Sequence, residues 1–331
     1  MRIFIGSAVF SCAALFFTSC STGASAKAAA PKASTHYDAA FWDTWSDGFA
    51  EVSTYDLVIP RYGEARDGEG ILIFVTETFS ERQRVKSDPG RNPKSDEFPV
   101  MKLNWQRNYQ TGMYDYSEMS SAVLGLAPTN GRPEGSVAKL NFSRQEWSGN
   151  TFMQLLFDAS QIRVTGNSYF DGDSDLSQTL KNPPEAISED SLAFWARQMS
   201  PPFLKPGEAK SVPFLTGMRS ARDAHQPMAW SRINLSRAKT PQTIEVPAGD
   251  FEVEVFSAQL ANGKSFLFYV EKEAPYRIVR WQFTSGEAGE LLASERVKYW
   301  ELNGPAGIEA LRSLGLEPRI PRFTPEEDNQ P

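Results

Sequence analysis

Between residues 50 and 302, apolar positions recur mainly with a period of two. Met101, Leu103 and Trp105 alternate with Lys102 and Asn104, the spacing that puts one face of a strand on a core and the other on solvent. Residues 71–78 (ILIFVTET) are rich in β-formers throughout, as expected of a strand buried on both faces. Strand patterns also run over 50–59, 113–126, 137–147, 152–157 and 162–170. They resume over 228–235, 243–246, 251–260, 265–270, 276–283 and 290–302. Asn262-Gly263, between two alternating runs, predicts a tight hairpin. Loops are expected over 60–70 and 86–97, where charge, Pro and Gly replace β-formers.

A helical period appears three times. Asp38 stands where it would cap a helix over 39–45, with Phe41, Trp42 and Trp45 on one face and Gly48 beyond its end. A second helix is expected over 188–199, with Leu192, Trp195 and Met199 aligned and Pro201-Pro202 as its stop. A third covers 305–314, with Pro305 at its start. Two strand-rich stretches with few helices predict a mainly β fold of large curved antiparallel sheets or half-barrels, rather than βαβ units. Since many strands are apolar on both faces, the concave face should be covered by a helix or by a ligand. The expected organisation is a signal segment over 1–19 and a tether over 20–36. An N-terminal β-rich half over 37–184 follows, then a helix plus C-terminal β-rich half over 185–317 and a Pro- and Glu-rich tail over 318–331.

The N-terminus bears on location. Arg2 precedes an uncharged apolar run from Ile3 to Phe17, the length of an export signal and short for a spanning helix. It ends in Phe17-Thr18-Ser19-Cys20, which resembles a bacterial lipobox, so Cys20 is the expected acylation site and membrane anchor. The alternative is ordinary secretion with cleavage after Ala24-Ser25-Ala26. With Cys20 lipidated and Cys12 removed, no thiol remains for catalysis, redox chemistry or a disulfide. Ser21 after the cysteine matches the outer-membrane sorting pattern of a Gram-negative cell, so the folded part would face the periplasm.

The 331 residues include 22 Phe, 8 Trp and 10 Tyr, enough aromatic surface for a core and too much for a disordered chain. Lys and Arg number 34 against 41 Asp and Glu, for a net charge of −7. No basic surface is implied, and nucleic acid is not an expected partner.

Several short motifs resemble an uncharacterised family of bacterial exported lipoproteins. They are Arg61-Tyr62-Gly63-Glu64, Phe74-Val75-Thr76-Glu77, Arg84-Val85-Lys86, Lys102-Leu103-Asn104, Thr111-Gly112-Met113-Tyr114-Asp115-Tyr116 and Gln145-Glu146-Trp147. Some members of that family carry the label of septum formation inhibitor, Maf type. Genuine Maf proteins are cytoplasmic nucleotide pyrophosphatases with a Ser/Arg-rich phosphate motif near the N-terminus. Here an export signal occupies that place. Val246-Pro247-Ala248-Gly249-Asp250-Phe251 and Ala274-Pro275-Tyr276-Arg277-Ile278-Val279 are similar to exported β-rich domains of unknown function. The resemblance implies a β-rich periplasmic fold and no particular activity.

Candidate chemistry is sparse. Glu64, Glu77 and Glu146 are the carboxylates of the family-like motifs, and a facing pair would permit glycosidic hydrolysis of an envelope polymer. Glu77 could equally pair with Arg84 or Lys102 across strands. Arg61, Tyr62, Arg84, Lys86, Lys102, Tyr114, Tyr116 and Trp147 mix basic and aromatic groups suited to an anionic glycan or a lipid headgroup, or to plain sheet packing. Asp171, Asp173 and Asp175 alternate as calcium ligands can, although Leu176 and Asn182 replace the Gly and Glu of an EF-hand loop. Asp223 and His225 lie close in sequence, but no G-x-S-x-G elbow accompanies them. His36 falls in the tether. No phosphate loop or dinucleotide fingerprint follows a strand, so no cofactor is expected. The expected function is a lipid-anchored, non-enzymatic binding or assembly module for a hydrophobic or envelope-derived ligand or partner. A carboxylate hydrolase is the alternative.

Overall fold

The structure is a computed structural model that describes residues 36–172 and 174–319. The expected signal segment over 1–19, Cys20 and the rest of the expected tether before His36, Asp173, and the expected tail beyond Arg319 lie outside the described residues. In chain order the elements begin α1 (Ala39–Trp45), β1 (Ala50–Arg61), β2 (Glu64–Ser80), β3 (Val85–Lys86), β4 (Glu97–Thr111), β5 (Tyr114–Gly125) and β6 (Val137–Glu146). They continue β7 (Gly149–Phe157), β8 (Gln161–Ser168), β9 (Leu176–Lys181), β10 (Ile187–Ser188), α2 (Leu192–Ala196), β11 (Ala209–Leu215) and α3 (Met218–Asp223). The last are β12 (Trp230–Arg237), β13 (Gln242–Val246), β14 (Gly249–Leu260), β15 (Ser265–Glu271), β16 (Ile278–Phe283), β17 (Ala288–Val297) and α4 (Ala306–Ser313).

All seventeen described strands join one sheet. Hairpins carry it from β9 back to β4, then through β2 to β1. There β1 pairs with β17 from Ala50↔Val297 to Val58↔Ala288, and the sheet runs on through β16, β15, β14, β12 and β11. Pairing is antiparallel except between β10 and β11. The β1–β17 ladder joins the two strand-rich stretches, so the change in composition near residue 184 falls between β9 and β10 without dividing the sheet. Residues 64–70, which read as a turn, extend β2 instead. They pair with β1 on one side and, from Gly68↔Tyr109 onward, with β4 on the other. Ladder hydrogen bonds on both edges outweigh the poor intrinsic strand propensity of EARDGEG.

The concave face is filled by the chain itself. Every residue of α2 is buried, and Phe194 and Trp195 are fully enclosed. Phe194 packs edge-on against Phe74 of β2 at 5.9 Å, and Trp195 against Phe256 of β14 at 5.7 Å. The helix is shorter than the span 188–199. A one-turn 3₁₀ segment, Glu189–Ser191, precedes it, and Arg197 leaves it to pair with buried Glu51 at 2.6 Å. On the convex side α4 runs into Leu314, which packs on Ala50, Val52, Ile73 and Val75. No described helix is long and apolar enough to cross a membrane.

The sheet has two rims. The near rim carries the turns after β1, β4, β6, β8, β14 and β16, and α3 lies over it. The far rim carries the turns after β2, β5 and β7. The described chain enters at the far rim, where the Tyr37 hydroxyl donates to the Met199 carbonyl at 2.6 Å beside Gly135 of the β5–β6 connection. His36 stacks on Phe203 at 3.4 Å and so belongs to the folded body rather than to the tether.

Candidate functional site: an aromatic and arginine rim capped by α3

Strand parity places charges on the inward face at the near rim. Arg107 shares its face of β4 with Leu103, Trp105 and Tyr109. Glu118 shares its face of β5 with Tyr116, Ala122 and Leu124, and Arg144 follows Leu140 and Phe142 on β6. All three are buried. Helix α3 descends on them and supplies the missing partners. Arg219 Nε donates to Glu118 Oε2 at 2.7 Å, and Arg219 Nη1 pairs with buried Glu287. Glu118 Oε1 also accepts from Arg144 Nε at 2.7 Å and from the Tyr109 hydroxyl at 3.0 Å. Arg107 Nε donates to Glu287 Oε1 at 3.0 Å. Asp223, at the end of α3, takes Arg61 Nη1 at 2.9 Å and Arg144 Nη2 at 2.7 Å.

The electrostatics follow from these contacts. Burial alone would raise the Glu118 carboxyl, but Arg219, Arg144 and Arg107 outweigh it and hold the group down at about 2. Glu287 is likewise kept below the usual carboxylate range, with Arg107 and Arg219 prevailing over burial. Asp190 goes the other way. Burial pushes it up to about 6, and the Met218 amide donating to its Oδ2 at 3.0 Å only partly opposes this. Beside it, Glu189 accepts from the Gly217 amide, the Ser220 hydroxyl and Lys264 Nζ, the last at 3.1 Å. Glu189 and Asp190 therefore moor the start of α3.

Between α3 and the sheet lies a cleft of about 420 Å³. Trp105, Phe266, Phe268 and Phe283 form its apolar wall, and Arg107, Arg219, Lys264 and Glu287 its polar one.

Outside the cleft an arc of rings runs along the same rim. Tyr62 and Tyr116 share a hydroxyl–hydroxyl bond of 2.7 Å. Tyr116 adjoins Tyr114 at 5.7 Å, and Tyr114 adjoins Trp147 at 6.3 Å. Tyr169 lies over Gly149, where any Cβ would strike its ring, and it meets Phe170 at 5.9 Å. Arginines close the arc: Arg61 sits 4.7 Å from the Tyr62 ring centre and Arg222 5.0 Å from that of Phe170. Tyr62, Trp147 and Tyr169 are 64%, 66% and 75% exposed.

The residues singled out in the sequence divide accordingly. Arg61, Tyr62, Tyr114, Tyr116 and Trp147 come together on this rim. Arg84 does not: it is buried near the far rim, bonded to Asp158 at 2.7 Å and to the Phe157 carbonyl at 2.8 Å. Lys102 pairs across strands with Glu77 at 2.7 Å, on the outward parity of β4 and away from this rim. Lys86 lies 3.8 Å from Asp88. The three glutamates do not form a catalytic pair. Glu64 faces Arg66 at 2.6 Å, and Glu146 accepts the Ser148 amide in its own turn. Their strands are three ladder steps apart, on the order of 14 Å along the sheet, wider than glycosidic chemistry uses. Glu77 sits far along β2 toward the other rim. Asp175 accepts from Asn167 at 2.9 Å, and no described group of three His, Cys, Asp or Glu is placed to hold a metal. His225 is an exposed residue just after α3, while Asp223 is engaged by arginines, so the two do not form a relay.

Glu118, Arg144, Arg107, Arg219 and Glu287 were not singled out in the sequence. For the first three a signal existed, since each is a charge at the inward parity of an otherwise apolar strand face. Arg219 and Glu287 lie on a short helix and beside a turn, where no periodicity marks them.

No protein-family model matches the chain, and no curated protein matches it. Among solved structures it is similar to a β-barrel-like protein of the domain of unknown function DUF1849 from Brucella abortus. The two are 8% identical over 76% of this chain and 98% of that one, with a TM-score of 0.42.

Proposed function

We propose that the chain is a non-enzymatic binding module of the cell envelope, anchored through Cys20, whose aromatic rim docks on an envelope glycan. The exposed arc of Tyr62, Trp147 and Tyr169 carries this reading. Flat rings held at the turns of paired strands offer stacking surface to sugar rings at little entropic cost. Arg61 is already neutralised by Asp223, which favours a neutral sugar face over an anionic headgroup. The interior of the sheet is occupied by α2, which moves the expected ligand from the concavity to the rim.

The test is co-sedimentation of the purified protein with insoluble peptidoglycan, run beside vesicles of zwitterionic and anionic lipid. The expected result is glycan binding lost in the Trp147→Ala, Tyr169→Ala double variant, whose fold is unchanged because both side chains are exposed. Binding to vesicles alone, or glycan binding indifferent to the double change, would refute the reading.

A further inference from the structure

Two buried donors on the cleft wall have no acceptor. Trp105 and Arg107 are 7% and 5% exposed, and both line the cleft beneath α3. Their Nε1 and Nη1 atoms find no hydrogen-bond partner, whereas Arg107 Nε is held by Glu287. A buried N–H without an acceptor is costly, and of the described buried donors that lack a protein partner Trp105 Nε1 and Arg107 Nη1 are the two on this cleft. The two lie two residues apart on one face of β4, with the guanidinium 4.1 Å from the centre of the indole ring.

The carboxylates nearby each hold partners of their own. Glu287 serves Arg107 and Arg219, Glu189 serves Lys264 and Ser220, Asp190 serves the Met218 amide, and Asp223 serves Arg61 and Arg144. Among the residues that line the cleft, Arg107, Arg219 and Lys264 face Glu189, Asp190, Asp223 and Glu287, so the balance of charge is not positive when all are ionised. A full anion gains nothing from that balance and would compete with the resident carboxylates. A neutral acceptor oxygen fits the unused donors. Beside the donors the wall is apolar, formed by Phe266, Phe268 and Phe283, with Phe283 6.4 Å from the Trp105 ring. The mouth lies at the partly exposed side chains of Lys264, Arg219 and Asp223.

We infer that this cleft is a binding site for a neutral secondary amide, its carbonyl oxygen taken by Trp105 Nε1 and Arg107 Nη1 and its methyl or Cα carbons set against the phenylalanines. An acetamido sugar and an acylated peptide both carry that group. The inference stands apart from the rim reading, because it rests on the cleft donors and not on the exposed rings.

The experiment is titration of the ¹⁵N-labelled protein with N-acetylglucosamine, with N-acetylalaninamide and with glucose, following the indole N–H of Trp105 and the backbone amides of Ser120 and Ser285. The expected result is a saturable shift at these three positions with one or both amides and none with glucose. A response to the sugar alone assigns an acetamido glycan as the source, and a response to the amide alone assigns a peptide. Trp105→Phe keeps an aromatic ring, smaller than the indole, and removes the donor. It should weaken binding, read at Ser120 and Ser285, by about threefold to tenfold, the worth of one hydrogen bond. Silence toward both amides, an equal response to glucose, or full affinity in the variant overturns the inference. If the variant fails to fold, the wild-type titration still decides.

Discussion

Replacing Glu118 by Gln tests whether the charged cap under α3 holds the rim together. The side chain is fully buried and accepts from Arg144, Arg219 and Tyr109. Gln keeps the shape but removes the charge, leaving two guanidinium groups facing a neutral amide. Two routes give the magnitude. Breaking a buried ion network by removing one partner costs about 3–5 kcal/mol. Independently, a carboxyl held at about 2 instead of 4.5 stabilises the folded state by about 3 kcal/mol once ionised. The sign follows from the proton balance. The folded pKa is depressed, so this stability is fully present above about 4.5 and is lost as pH falls toward about 2. Urea unfolding of both proteins at a series of pH values reads it directly. The midpoint difference should correspond to about 3 kcal/mol at neutral pH and shrink toward zero in acid, with the slope m unchanged. A loss below about 1 kcal/mol at neutral pH, or one independent of pH, would show that the arginines find other partners and refute the reasoning.

Asp190 should bend the stability curve in the opposite sense. Its folded pKa is raised to about 6 from 3.8, so its contribution is present in acid and is lost as pH rises through that window. Asp190→Asn should flatten this decline in an otherwise identical pH series of unfolding midpoints. Gly289→Ala places a methyl against the indole of Trp281, which is itself packed between Tyr55 at 4.7 Å and Trp105 at 4.9 Å. It should cost about 1–3 kcal/mol and alter the near-ultraviolet circular dichroism, while an unchanged spectrum and midpoint would show that the ring has room. Glu77→Gln removes a partly exposed cross-strand pair and should cost no more than about 1 kcal/mol in the same unfolding assay.

The strands were legible because burial on one face writes a period of two into the chain. Met101, Leu103 and Trp105 all face the core. The cap of α1 was legible because Asp38 is a local device that accepts from the Phe41 amide at 2.9 Å. Residues 64–70 were not, since only the neighbouring strands make that stretch a strand. The α2 helix was visible as a helix, but its place inside the sheet depends on the β1–β17 closure, which joins residues some 240 apart. The rim was half legible. Tyr62, Tyr114, Tyr116 and Trp147 stood out as aromatics mixed with basic groups, while Tyr169 did not, and the partners of Glu118 come from strands and a helix that only the fold assembles. Arg84 and Lys102 looked equivalent to Arg61 in sequence because composition does not report which rim a residue reaches.

The most direct test of the account is an NMR titration of the protein with a soluble N-acetylglucosamine oligomer, following the indole signals of its 8 Trp. A ligand stacked on the rim must move Trp147 saturably and leave enclosed Trp195 in place. A titration in which Trp147 stays still, or in which all the indoles drift together without saturating, would contradict the assignment of the rim as the binding face.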